Sequence, residues 1–289
     1  MMPATTFIGF GEAGRAFATA GARAFDRKTL HERERERGAM LAAYDAAGVE
    51  GVDDAASALS GAQVVLSLVT ADQALAAALD CAPLLGAGAL WLDMNSVAPG
   101  TKRHAAQVIE ASGGRYADVA VMAPVLPARK NVSLLVSGAH AQAALEALTL
   151  LGFANTAVAG RAIGDASAIK MIRSVMVKGL EALSAECALA ADRAGVTDAV
   201  IASLDASWKA QSWGERFDYN LDRMMAHGLR RAAEMEEVAV TLEDLGVDPV
   251  MTRGTIARQR DLGVLAITPP EGLGAKLHAI TAAGQKAPA

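Results

Sequence analysis

The sequence predicts an α/β domain built on a parallel sheet, followed by an all-α domain and joined to it by one long helix. Over the first 160 residues, short apolar runs of strand length alternate with alanine-rich segments of helical period. That alternation is the mark of parallel strands connected by crossover helices. Beyond this point alanine, leucine and charged residues recur at helical spacing, with turns at AGVTD, LGVDP and ITPPEG. A chain of 289 residues that is 52% hydrophobic exceeds the usual size of one domain, and the expected division is 1–160 and 161–289.

The elements follow in order. Residues 6–9 form an apolar run that enters a G-x-G-x-x-G pattern at Gly9, Gly11 and Gly14. Gly9 would allow a tight turn off the strand, Gly11 would let a pyrophosphate approach the backbone, and Gly14 would let the next helix pack closely on the sheet. Phe10, Glu12 and Ala13 complete the loop, and a helix over 13–23 would turn its first N–H groups toward the phosphates. Strand, glycine loop and helix in that order are the context a dinucleotide fingerprint requires. The run 40–44 reads as the second strand and ends in Asp45, where an acid accepts hydrogen bonds from the adenosine ribose hydroxyls. Asp26 stands nearer the usual distance but follows a helix in this reading, so Asp45 is preferred on context.

The intervening RKTLHERERERG reads as a solvated surface insertion. An arginine cluster holding a 2′-phosphate is the alternative, but these arginines precede the strand and nothing basic follows Asp45 directly. NAD is therefore favoured over NADP. Further strands at 64–69, 89–93, 115–121 and 133–137, with helices at 71–81, 99–112 and 141–151, complete the alternation. Val69 with Thr70, and Asn95 with Ser96, lie at two strand ends, at the carboxyl edge where open sheets bind ligands. Thr70 serves equally well as a helix N-cap and Ser96 as a turn residue ahead of Pro99.

Composition excludes several classes. The net charge is −5 and no basic block suggests a nucleic-acid surface. Cys81 and Cys187 lie far apart in apolar contexts without metal-ligand spacing, as expected of reduced core residues in a cytoplasmic protein, and no metal site is expected. The N-terminus lacks a basic n-region and no long uninterrupted apolar window occurs, so neither a signal peptide nor a membrane span is expected.

The segments FIGFGEAG, LSLVTADQA, WLDMNSVAPGTK, YADVAVMAP and GDASAIKMIRSVMVKGLEALSAE stand in that order along nearly the whole chain. In order and spacing they resemble the motif set of the β-hydroxyacid dehydrogenase superfamily, which includes 3-hydroxyisobutyrate, tartronate semialdehyde and 6-phosphogluconate dehydrogenases. More narrowly, the chain resembles the NAD-binding 6-phosphogluconate dehydrogenase-like branch with its own C-terminal helical domain. The resemblance implies a Rossmann domain, a long interdomain helix and a helical second domain that forms a homodimer. It also implies NAD as cofactor and a small hydroxy acid or related alcohol as substrate. It puts the catalytic lysine on Lys170; the family's asparagine four residues later is Ser174 here, preceded by Arg173. The family's small-residue substrate loop is replaced by Met122, Ala123 and Pro124, and its C-terminal K-D-L lysine aligns with His227, which joins the cofactor set. These departures keep the redox apparatus and leave the substrate open. An imine reductase usually replaces the lysine, which argues against that neighbouring chemistry; a non-catalytic NAD-binding protein is the second alternative.

The residues around Lys170 support the assignment by themselves. From Asp165 as N-cap to Gly195 as stop the segment reads as one helix. Lys170, Arg173, Ser174, Lys178, Glu181 and Ser184 share one side, and apolar residues cover an arc wide enough to predict a largely buried helix with one polar stripe. A lysine with an ordinary pKa of about 10.4 is a poor base at neutral pH, and burial or the neighbouring Arg173 would lower it. Lys170 then exchanges the hydroxyl proton and Ser174 orients substrate, while Arg173 either tunes the lysine or clamps a substrate carboxylate. Trp208, Trp213, Phe217 and Tyr219 concentrate aromatics that could wall a pocket or a dimer contact, although core packing is their commonest fate. The tail GQKAPA reads as disordered.

Overall fold

Eight strands form one sheet in the order β3-β2-β1-β4-β5-β6-β7-β8. They are β1 (Thr5–Ile8), β2 (Arg23–Phe25), β3 (Glu50–Gly51), β4 (Val64–Ser67), β5 (Leu90–Asp93), β6 (Arg115–Val121), β7 (Leu134–Ser137) and β8 (Thr156–Gly160). This computed structural model describes residues 2–30, 34–207 and 210–284. The chain divides into two compact units, Met1–Val175 and Met176–Ala289. All strands belong to the first unit. Strands β3 to β6 run parallel; β7 is antiparallel to β6 and β8 is parallel to β7. This is the doubly wound Rossmann arrangement, whose strand order reverses between β1 and β4.

The central strands β1, β4, β5 and β6 are almost entirely buried on both faces, whereas the edge strands β3 and β8 are exposed or only partly covered. Phe7, Leu66, Leu90, Leu92, Ala117 and Val119 point to one face. There they meet α1 (Glu12–Phe17), α2 (Glu34–Ala47) and α6 (Ala141–Leu150). Ile8, Val65, Trp91 and Tyr116 point to the other, under α3 (Ala55–Leu59), α4 (Ala74–Cys81) and α5 (Pro99–Ala111).

Among the polar groups buried in this unit, Lys102 on α5 is fully buried. Its Nζ donates to the Asp93 carbonyl at 2.6 Å and to Asp93 Oδ1 at 2.9 Å, and lies 3.3 Å from Asp118 Oδ1. Tyr116 Oη donates to Asp93 Oδ2 at 2.7 Å. Burial, then the carboxylates of Asp93 and Asp118, push that phenol well above its ordinary range.

The second strand departs from the sequence reading. Residues 40–44 are not a strand but lie within α2, and Asp45 is an exposed residue of that helix. Met40 and Tyr44, spaced four apart, are its buried residues. Alanine, methionine and leucine favour helix, and the run lacks the β-branched residues that would have marked a strand. The true second strand is β2. Helix α1 ends at Phe17, six residues short of the expected end, and the chain turns at Gly21 with φ +77° before entering β2. The charged segment read as a surface insertion becomes a 3-10 turn over Arg27–Leu30 and the start of α2.

The second unit is helical. Helix α7 (Asp165–Arg193) enters it and is followed by α8 (Thr197–Ser207), α9 (Trp213–Asp244), α10 (Val250–Gly263) and α11 (Leu273–Gly284). Helices α9 and α10 approach backbone to backbone: a Cβ on Gly228 would stand 2.3 Å from the Gln259 carbonyl oxygen. Glu186 on α7 is 9% exposed and accepts from the N–H groups of Met251 and Thr252 and from Thr252 Oγ1, closing the N-terminus of α10. Burial raises its pKa, but the bonds from Thr252 and Met251 outweigh that and hold the carboxyl below the usual glutamate range.

Helix α7 is not the largely buried element that its wide apolar arc suggested. Ile169, Ile172, Leu183 and Leu189 are exposed, Ile172 to 71%. The side chains of Lys178, Glu181 and Ser184, together with Trp208 and the tail from residue 285, lie outside the described residues. Trp213, Phe217 and Tyr219 are exposed on α9, with Trp213 and Phe217 in ring contact at 5.7 Å. Cys81 is buried as expected, whereas Cys187 is exposed. Among the described residues no helix is long and apolar enough to cross a membrane and no cluster suited to a metal ion occurs.

Removing the Lys102 charge tests the buried cluster. Lys102→Met leaves Asp93 and Asp118 without their cation and is expected to lower stability by about 3–5 kcal/mol in urea denaturation, the usual cost of breaking a buried pair from one side. A loss below about 1 kcal/mol, the scale of an exposed pair, would contradict this account.

Candidate functional site

The first unit gathers its polar loops at the carboxyl ends of β1, β2, β4, β5 and β6. The three glycines of the first loop do three different things. Gly9 has φ +87°, and a Cβ there would lie 2.5 Å from the Leu68 carbonyl oxygen, so the turn off β1 admits only glycine. A Cβ on Gly14 would stand 3.0 Å from the Gly9 carbonyl, which reflects the close seating of α1 against the loop. Nothing lies within 4 Å of a Cβ on Gly11, which faces open space. A turn, a close approach and an open backbone are the features that a dinucleotide pyrophosphate requires, so these residues fit such a cofactor.

The loop is tied to the end of β2. Gly9 N–H donates to the Phe25 carbonyl at 2.9 Å, and Phe10 N–H donates to Asp26 Oδ2 at 2.7 Å. Asp26 Oδ1 accepts from Lys28 N–H at 2.9 Å. Both carboxylate oxygens are thereby oriented, and each keeps a lone pair for a further donor. Asp26, not Asp45, is the acid at the end of the second strand. The ring of Phe10 is fully buried against Tyr44, so only its backbone belongs to the site. Burial and the Asp26 carboxylate raise the Tyr44 phenol above its ordinary range.

Several cavities open on this edge, and two of them share a wall. A larger one of about 830 Å³ is lined by Gly9, Gly11, Glu12, Ala13, Asp26, Arg27, Lys28, Val69, Thr70, Gln73, Asp80 and Cys81, among others. Burial pushes the Cys81 thiol up to about 12, which keeps it protonated. A second cavity of about 320 Å³ shares Glu12, Ala13, Leu68 and Val69 with the first and continues to Asn95, Ser96, Ala123, Pro124 and Lys170. Thr70 precedes the 3-10 turn Ala71–Gln73 without a side-chain cap bond.

Asn95 is buried and fully engaged. Its Oδ1 accepts from Val69 N–H at 2.7 Å, and its Nδ2 donates to Ser67 Oγ at 3.0 Å and to Asp93 Oδ1 at 2.8 Å. It thus pins the end of β4 to the end of β5 and sets the wall between the cavities. Ser96 beside it is exposed and accepts from Lys170 Nζ at 2.6 Å.

Lys170 is half-buried and sits in the second turn of α7. The start of that helix is gripped from the sheet: Ser167 N–H donates to Asp118 Oδ2 at 3.0 Å and Ala166 N–H to Ser137 Oγ at 3.0 Å. A carboxylate at a helix N-terminus is favoured by the helix dipole. Arg173 Nη1 donates to the Met122 carbonyl at 3.3 Å, joining α7 to the loop after β6. Ser174 Oγ donates to the Lys170 carbonyl at 2.9 Å, which spends its only proton on the helix backbone. His227 lies on α9 in the second unit. Asp26 was weighed in the sequence on its spacing and set aside for Asp45, Arg27 and Lys28 were read as part of a surface insertion, and Gln73 and Asp80 were missed, because neither carries a local signal.

The sequence matches two described families. Residues 4–160 match the NAD binding domain of 6-phosphogluconate dehydrogenase, and residues 191–262 match a domain of unknown function, DUF1932. Among solved structures, a conserved hypothetical protein from Sinorhizobium meliloti 1021 is 36% identical, with 98% of this chain and 97% of that chain covered and a TM-score of 0.60. A conserved protein of unknown function, described as structurally similar to 3-hydroxyacid dehydrogenases, is 28% identical over 95% of this chain and 98% of its own, with a TM-score of 0.57. An imine reductase from Myxococcus stipitatus in complex with NADP+ is 18% identical over 96% of this chain and 100% of its own; its TM-score of 0.71 shows a shared fold alone. The glycine loop, the acid at the end of β2 and the match over residues 4–160 agree: the chain belongs to the family of the NAD binding domain of 6-phosphogluconate dehydrogenase.

Proposed function

We propose that this protein is an NAD-dependent oxidoreductase that moves a hydride between NAD and a small hydroxy acid or related alcohol, with Lys170 as general acid and base. The observation that carries the reading is the Lys170 Nζ to Ser96 Oγ contact of 2.6 Å, in the smaller cavity that shares its wall with the glycine-loop cavity. NAD, when bound, supplies the hydride acceptor at its nicotinamide ring. Asp26 holds the adenosine ribose through its carboxylate, while Gly11 leaves room for the pyrophosphate. Val69, Asn95 and Ser96 shape the passage toward Lys170.

In the oxidative direction the neutral amine of Lys170 takes the substrate hydroxyl proton; in reverse, its ammonium donates to the carbonyl oxygen. Ser96 fixes the direction of Nζ by accepting one of its protons. Met122, Ala123 and Pro124 border the substrate, and Arg173, already at the Met122 carbonyl, brings a guanidinium fork that matches a carboxylate. Ser174 supports Lys170 through the backbone bond described above, and orients substrate only if that proton is released. The substrate is a small molecule rather than a nucleic acid or membrane. A cytoplasmic location belongs to the same reading, in keeping with two cysteines that form no disulfide. The domain division at 1–160 and 161–289 follows the same reading. The exposed apolar residues Ile172, Leu189, Ile201 and Leu204 favour a homodimer.

Three measurements test these assignments. In fluorescence titrations with NADH, Asp26→Ala is expected to weaken binding about tenfold or more, the worth of a hydrogen bond to a charged group. Asp45→Ala is expected to have no effect, and the reverse pattern would restore Asp45 to the site. In a panel of hydroxy acids assayed by NAD reduction, Lys170→Ala is expected to lose about two to four orders of magnitude in kcat while NAD binding persists. Lys170→Arg should recover little, because a guanidinium keeps its proton. Retention of more than about a tenth of the parent turnover in Lys170→Ala would remove the lysine from the chemistry. Light scattering should return the mass of two chains, and a monomer mass at micromolar concentration would contradict the dimer.

A further inference from the structure

The larger cavity is spanned by an arginine whose charge is already taken. Arg27 follows Asp26 directly at the end of β2, yet its side chain reaches the opposite wall. Nη1 donates to Gln73 Oε1 at 3.0 Å and Nη2 donates to Asp80 Oδ2 at 2.5 Å. Gln73 ends the 3-10 turn ahead of α4, and Asp80 lies on α4 itself. The Gln73 amide is oriented in turn, since its Nε2 donates to Asp72 Oδ2 at 2.9 Å. Arg27, Gln73 and Asp80 line the same cavity as Asp26 and Lys28.

We propose that Asp80 and Gln73 form a latch that holds Arg27 away from the adenosine ribose, and that this latch sets the preference for NAD over NADP. The proposal rests on the cofactor reading above. A guanidinium fork is the side chain best matched to a phosphate, and an arginine just past the second strand is where a 2′-phosphate would find one. Here both arms of the fork are spent on the α4 side, and Asp80 cancels the charge. A 2′-phosphate entering beside Asp26 would meet that carboxylate with Lys28 as the remaining cation of the cavity lining. A ribose hydroxyl meets no such penalty, because it donates to Asp26. The Arg27 and Asp80 side chains are 61% and 59% exposed, so removing one partner releases the other rather than leaving a buried charge.

The test is a set of calorimetric titrations with NADH and NADPH on the parent, Asp80→Asn and the double variant Asp80→Asn/Arg27→Ala. Asp80→Asn should lower the ratio of the NADPH to the NADH dissociation constant about fivefold, the upper range of an exposed charge pair. The double variant should lose that gain, because Arg27 is the group released. An unmoved ratio in Asp80→Asn, or a gain that persists without Arg27, overturns the latch. A parent that binds neither cofactor removes the NAD reading itself, a result distinct from binding with an unmoved ratio.

Discussion

The fully buried ammonium of Lys102 is the point on which the first unit turns. It draws the Asp93 carbonyl and carboxylate and the Asp118 carboxylate to one place, and from there the order spreads outward. Asp93 at the end of β5 also accepts from Tyr116 and Asn95, and Asn95 holds the backbone of Val69 after β4. Asp118 on β6 accepts from Ser137 on β7 and from the N–H of Ser167 at the start of α7. Four strands and two helices are therefore registered by one positive charge.

Taking ions out of water is costly, and a buried cluster of this kind repays the cost only when every member is present. The ammonium serves Asp93 first: Asp118 Oδ1, although 3.3 Å from Nζ, makes no hydrogen bond of its own. The other Asp118 oxygen is instead compensated by Ser137 and by the N-terminus of α7, whose dipole favours a carboxylate. The same arrangement fixes where α7 begins. One turn beyond Ser167, Lys170 reaches Ser96. The half-buried Lys170 is thus positioned by the fully buried Lys102.

The two cavities divide the labour along the sheet edge. The glycine loop and Asp26 shape the larger, and Ser96 with Lys170 shapes the smaller; Glu12, Ala13, Leu68 and Val69 belong to both. Each lies outside the carboxyl ends of the strands, at or beside the reversal of strand order, which is where a doubly wound sheet leaves room for a ligand. The open space at Gly11 and the crowding at Gly9 and Gly14 show that the three glycines answer separate steric demands.

The sequence alone determined much of this. The glycine pattern after an apolar run, the strands β1, β4, β5, β6 and β7, the helices α4 to α6 and the long α7 were legible because each is long enough, or punctuated clearly enough, to carry its own period. Lys170 was legible from its motif, and the structure sets it beside Ser96. The tertiary structure decided the second strand. Three residues at β2 are too few to show a period, whereas residues 40–44 satisfy both a strand and one face of a helix; only the pairing of Thr6 with Arg23 and of Ile8 with Phe25 resolves the choice. With β2 settled, the acid at the end of the second strand is Asp26 rather than Asp45. The partners of Asp118 and Arg27 were likewise beyond the reach of the sequence, because those bonds join residues distant in the chain whose meeting depends on how the strands are ordered.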